Sequence, residues 1–159
     1  MPVLQLVALI TLANSAPVLA RHVLGDLWQQ PVDAGLILRD ERRLFGRSKT
    51  WRGLVAASLL CALTAPLLGL SWMQGLQVGA LAMVGDLLAS FIKRRLGLDA
   101  GQRAPRLDSI PEALLPTLAL RDALALSWLQ VALVVIAFVL TVRLASPLLY
   151  RLRMRSRPW

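Results

Sequence analysis

The chain has 159 residues, 57% of them hydrophobic, and a formal net charge of +9. A soluble domain of this length has too little interior for so much apolar surface, and the apolar residues come in blocks long enough to cross a bilayer. One cysteine, Cys61, excludes an intrachain disulfide, and one histidine, His22, excludes histidine-rich zinc chemistry.

The basic residues cluster at the ends of the apolar blocks. That placement points to membrane topology and lipid headgroups rather than to nucleic acid. The chain therefore reads as one all-α integral membrane domain, residues 1–159, with about five transmembrane helices. The expected home is the inner, cytoplasmic membrane, crossed several times.

The first expected span is about residues 2–20, "PVLQLVALITLANSAPVLA". It lacks a basic leading region and a convincing small-residue cleavage site, so it reads as a retained helix. Asn14 and Pro17 interrupt it. Asn14 either makes an interhelical hydrogen bond or lines a polar cavity between the helices.

A polar loop follows, about 21–52, with seven of the eighteen Lys and Arg residues. It carries "PVDAG" and then "RLFGRSKTWRG". Gly46 permits close approach to an anion, Ser48 and Thr50 offer hydroxyls, and Lys49 and Arg52 supply charge. That combination reads as a phosphate-gripping loop, or more plainly as a basic loop that fixes topology. It is not a P-loop, because Ser48 and Arg43 stand where that motif needs glycines. Asp33 is either a metal ligand or a turn former.

The second and third spans, about 53–72 and 75–92, form a hairpin through the uncharged turn "SWMQGL". Gly75 and Gly79 have the spacing of a close helix contact. Asp86 lies inside the third span, where a carboxylate is costly and marks a polar site. Ser90 and Lys93 or Arg94 follow at helical intervals, so one face of this helix is polar. A second basic loop, about 93–109, ends at Asp108, which is either a helix cap or a metal ligand. The remaining apolar run is interrupted at Arg121–Asp122 and divides into spans of about 110–124 and 125–149. Two spans keep the basic tail on the side of the basic loops. The expected topology has the N-terminus outside and the C-terminus in the cytoplasm, with both basic loops capping a polar cavity. Acids able to hold Mg²⁺ beside bases able to hold phosphates are the parts needed for phosphoryl or nucleotidyl transfer.

Taken together, "ANSAP", "PVDAG", "LFGRSKTWRG", "GDLLASFIKRR" and "LDSIPE" resemble the CDP-archaeol synthase family of membrane cytidylyltransferases. The element Ser90, Lys93, Arg94 and Asp108 is similar to one in the CDP-diacylglycerol synthases. The resemblance implies CTP and a membrane lipid phosphate as substrates, Mg²⁺ as cofactor, and a CDP-lipid and pyrophosphate as products. It implies catalytic roles for Lys49, Arg52, Asp86, Lys93 and Asp108. Thr50, Ser90 and Arg94 match its motif positions as well. Read together with the residue chemistry above, the expected nucleotide contacts are Asn14, Gly46, Ser48, Lys49, Thr50, Ser90 and Arg94, and the expected Mg²⁺ set is Asp86, Asp108 and Asp33. Two departures stand out: Ala34 replaces one of two glycines after Asp33, and the His-Gly-Gly … Asp signature of the diacylglycerol enzymes is absent. A CDP-alcohol phosphotransferase would carry a denser aspartate pattern. A small transporter or scaffold, with Asp86 as a coupling or packing group, is the non-enzymatic alternative. The apolar spans name neither the lipid chains nor an oligomeric state.

Overall fold

The computed structural model describes residues 2–98 and 105–151. The expected loop 93–109 lies partly outside these residues, as does the basic tail beyond Arg151. Five helices follow in order: α1 Pro2–Leu24, α2 Trp51–Thr64, α3 Trp72–Arg95, α4 Pro105–Ala119 and α5 Trp128–Arg151. Among the described residues the only β pairing is two isolated bridges, Pro31 with Thr50 and Ile37 with Arg43. Three segments, Pro2–Leu24, Trp51–Leu68 and Trp72–Arg95, are long and apolar enough to cross a membrane, and Trp128–Leu144 is a shorter apolar helix. The chain is a multi-pass, all-helical membrane protein, as expected.

Local chemistry sets the helix ends. Thr50 caps α2 by accepting the Gly53 N–H at 3.3 Å. Alanine and leucine carry α2 on, through the 3₁₀ turn Ala65–Leu68, to Gly69, where φ is +78°. Ser71 and Gln74 then form a reciprocal capping box on α3, at 3.2 and 2.8 Å. Ser127 and Gln130 repeat that box at the start of α5. Helix α4 starts at Pro105 rather than near 110, since proline is pre-organised for a first helical turn. It stops at Ala119, and the chain turns through residues 120–127, where Arg121 stacks on Trp128 at 4.3 Å.

The core joins Leu6, Leu9 and Ile10 of α1 to Ala57 and Cys61 of α2, Val78 and Ala82 of α3, and Val134 and Phe138 of α5. Helix α3 is central, packed on α1, α2 and α4. Small residues allow this. A Cβ placed on Gly75 would lie 2.3 Å from the Cys61 carbonyl oxygen, and one on Gly79 would lie 2.6 Å from that of Ala57. On the other side of α3, a Cβ on Gly85 would lie 2.3 Å from the Pro111 carbonyl oxygen and 2.7 Å from the Glu112 Cα. Side chains of any size there would push the helices apart.

Candidate functional site

The Gly85 contact brings the dipeptides Gly85–Asp86 of α3 and Pro111–Glu112 of α4 face to face. Asp86 is part-exposed, and both of its oxygens accept from the Lys49 ammonium, at 2.7 and 2.6 Å. Lys49 comes from the long loop between α1 and α2. Glu112 is buried beside this pair, an electrostatic neighbour of both Asp86 and Lys49. Its Oε2 accepts from the Asn14 side-chain amide at 2.5 Å. Four chain segments thus converge: Asn14 of α1, Lys49 of the loop, Asp86 of α3 and Glu112 of α4. A carboxylate in a helix bundle is costly unless it is paired, and here each acid has a partner.

The loop that delivers Lys49 is a fastened structure. Asp33 is 5% exposed. It accepts backbone N–H bonds from Gly35 at 3.0 Å, Phe45 at 3.2 Å and Gly46 at 2.9 Å. Burial raises the pKa of this carboxyl. The N–H groups of Gly46, Gly35 and Phe45, with the Arg43 charge, overcome that and hold it below the ordinary aspartate range. Gly46 has φ +108°, and the Arg94 guanidinium stands 3.5 Å from where its Cβ would be. The anion gripped by the Gly46 turn is therefore the chain's own Asp33. From the other end, the buried Arg52 donates to the carbonyls of Gly25 and Leu27, each at 2.7 Å, and ties the loop's first turn to α2.

The Lys93–Arg94–Arg95 run divides its tasks. Lys93 pairs with Asp108 and joins the end of α3 to the first turn of α4. Arg94 donates to the carbonyls of Phe45 and Leu98. Arg95 pairs with Asp40 at 2.6 Å and donates to the Arg43 carbonyl at 2.8 Å, so the loop is strapped onto α3. Ser90, one turn from Asp86, is buried at 2% exposure.

Of the residues singled out in the sequence, Asn14, Lys49 and Asp86 meet in one cluster, and Lys93 and Asp108 form a second pair. Gly46, Thr50, Arg52 and Arg94 make backbone contacts that hold the loop, whereas Ser48 is exposed. Asp33 spends its oxygens on that loop. Glu112 is the member that sequence reasoning left without a role. Its signals were a second acid four residues after Asp108 and its place at the end of "LDSIPE".

Comparison with known proteins agrees with this arrangement. The model of the CarS-like family, described as CDP-archaeol synthase, matches residues 3–73 and 70–159. The CDP-archaeol synthase of Aeropyrum pernix is 38% identical, covering 99% of this chain and 90% of that protein. That of Sulfurisphaera tokodaii is 40% identical over 81% of each chain. A solved structure, described as an intramembrane enzyme for archaeal membrane lipids biosynthesis, superposes with a TM-score of 0.74 at 32% identity and covers 91% of both chains. With matches of this extent along its whole length, the chain belongs to the CarS-like CDP-archaeol synthase family.

Proposed function

We propose that this protein is a cytidylyltransferase that moves CMP from CTP to a membrane lipid phosphate, giving a CDP-lipid and pyrophosphate. The observation that carries the reading is the Lys49–Asp86 pair, where a loop cation meets an acid set within a membrane helix. Relatives named CDP-archaeol synthase support the product class.

The reaction needs few groups. An oxygen of the lipid phosphate forms a bond to the α-phosphorus of CTP. The bond from that phosphorus to the bridging oxygen breaks, and pyrophosphate leaves with the electron pair. A phosphate anion is already a nucleophile, so no proton need be removed. Lys49 and Lys93 neutralise the triphosphate and the leaving group. Arg47 and Ser48 are exposed on the same loop. Arg52, Arg94 and Thr50 act through the loop that they fasten.

Mg²⁺, when bound, would supply charge neutralisation across the phosphates. Asp86 and Asp108 fit that need. Each is a hard oxygen donor, part-exposed, and matched to one lysine that phosphate can attract away. No group of three or more acids, histidines or cysteines gathers among the described residues. Mg²⁺ needs only one or two carboxylates beside substrate phosphates and water. Asp33 does not fit, because backbone N–H groups enclose both of its oxygens. The proposed topology keeps the loop, α4's first turn and the C-terminus in the cytoplasm, where CTP is found, with the N-terminus outside.

The test is pyrophosphate release by the purified protein in detergent, with CTP, Mg²⁺ and a panel of prenyl-ether and acyl-ester lipid phosphates. Release that needs CTP, lipid and Mg²⁺ together is expected. Asp86→Asn should lower it on the order of 100-fold or more while circular dichroism stays helical. No release with any lipid, and no CTP binding, would move the protein to the transporter or scaffold class.

A further inference from the structure

The long loop between α1 and α2 begins and ends at a membrane boundary. Helix α1 has 23 residues, about 35 Å of length against a hydrocarbon core of about 30 Å. Its last residue, Leu24, therefore lies at the bilayer surface. The span of α2 begins at Trp51. A stretch between two such points that stood in water would shed its apolar side chains. Here the chain does the opposite. Val23 is 82% exposed, Leu27 67% and Trp28 70%, and Trp51 is 53% exposed.

The turn 25–28 is not free to rise away from the membrane. The buried Arg52, in the first turn of α2, holds the carbonyls of Gly25 and Leu27, each at 2.7 Å. The Trp51 N–H donates to the Gln30 carbonyl at 3.1 Å, and Pro31 bridges to Thr50. These bonds fix Leu27 and Trp28 at the depth where α2 enters the bilayer. Trp28 also takes φ +55°, a left-handed conformation that is costly for a bulky residue and easy for glycine. The acid of the turn, Asp26, is taken up by the Gln29 amide. Arg21, exposed in the last turn of α1, carries the charge that anionic headgroups attract. An indole, with an apolar body and one N–H, suits the boundary between headgroups and acyl chains.

We infer that the turn 25–28, together with Trp51, is an interfacial anchor whose partner is the bilayer surface. Leu27 and the two indoles sit between the headgroups and acyl chains of an anionic leaflet, and they seat the Lys49 loop at the level of lipid phosphates. Lys49 stands two residues before Trp51. Its carbonyl accepts from the Val32 N–H at 2.8 Å, so the anchor and the base of the loop form one piece. The kinetic consequence rests on the cytidylyl-transfer reading, whereas the placement in the membrane does not.

Two readouts test it, on the full chain in vesicles of equal parts phosphatidylcholine and phosphatidylglycerol. The first is tryptophan emission. Trp28→Phe keeps an aromatic ring and removes one indole, so the emission it loses belongs to Trp28. That share should fall about twofold or more with phospholipids brominated high on their acyl chains, and should be quenched by aqueous acrylamide about threefold less than free tryptophan. The second is pyrophosphate release, resolved into the KM values for lipid phosphate and for CTP. Trp28→Gly accepts the left-handed backbone and deletes the ring. Combined with Leu27→Ser, it should raise the KM for the lipid about fivefold and move the KM for CTP by less than about twofold. A Trp28 share quenched by acrylamide like free tryptophan, and untouched by brominated lipid, would overturn the inference, because the turn would then stand in water. So would an unchanged KM for the lipid, or an equal rise in both KM values, which marks a collapsed loop. If the wild-type protein releases no pyrophosphate, the transferase reading fails, and the quenching decides the anchor by itself.

Discussion

Helix α3 uses glycine on two sides, and the two contacts do different things. Towards α2, Gly75 and Gly79 meet Cys61, Ala65, Ala57 and Ser58, and the contact is packing alone. Towards α4, Gly85 meets Pro111 and Glu112, and the next residue is Asp86. The same device, removal of a side chain so that backbones approach, gives a seam in one place and a charged cluster in the other. The lesson is that a small residue reports proximity, and the chemistry depends on what its neighbours carry.

Gly85→Ala should break the comparison most visibly. The new Cβ has no room, so α4 must shift, and Glu112 and Asp108 shift with it. Displacement of a site by about 1 Å costs on the order of 100-fold in rate. We expect that loss in kcat per folded molecule, with a lower melting temperature. Gly79→Ala is the control on the other face. Overpacking there should destabilise the protein by about 1–3 kcal/mol, while kcat per folded molecule stays within about threefold. Equal kinetic losses in the two variants would erase the distinction between seam and site.

The charged side of α3 is completed by Lys49, so the loop that carries Lys49 sharpens the comparison further. Asp33→Asn removes the charge accepting three backbone N–H groups and should cost about 1–3 kcal/mol. The sign of its pH dependence follows from the lowered pKa. The folded-state value lies below the ordinary aspartate value of about 3.9. The stabilisation is therefore complete above that value and is lost as pH falls through the folded one. The gap in melting temperature between wild type and Asp33→Asn should be constant near neutrality and close below about pH 4. The smallest effect is expected from Thr50→Ala, which removes the α2 cap and should cost about 1 kcal/mol. Both loop variants should also loosen Lys49 from Asp86, which a faster modification of Lys49 by an amine-reactive acetylating reagent, read by mass spectrometry, would register.

Much of this was legible in the sequence because the physics is local. Apolar blocks of spanning length, bounded by basic residues, announce membrane helices whatever they pack against. An acid in such a block is conspicuous for the same reason, and Asp86 could be singled out from its own surroundings. The α3 face carrying Asp86, Ser90 and Lys93 follows from helical periodicity alone. The basic loop was harder. Gly46, Thr50, Arg52 and Arg94 have the residue types of an anion site. The structure uses them on the chain's own carboxylate, helix end and carbonyls. Composition describes what a group can bind, and cannot say which partner the fold brings first.

The sequence by itself determined a basic, multi-helix membrane protein with acids and bases gathered at one end, because hydropathy and charge act over a few residues. Only the tertiary structure decided which acid meets which base. Lys49 lies 37 residues from Asp86, and Asn14 lies 98 from Glu112. Those contacts exist because α3 stands between α1, α2 and α4 and because Gly85 lets α4 close on it. Glu112 closes the "LDSIPE" stretch, but its meeting with Asn14 and Gly85 could not be read there, for the same reason. Those contacts depend on the helices around it, and no stretch of chain near residue 112 contains them.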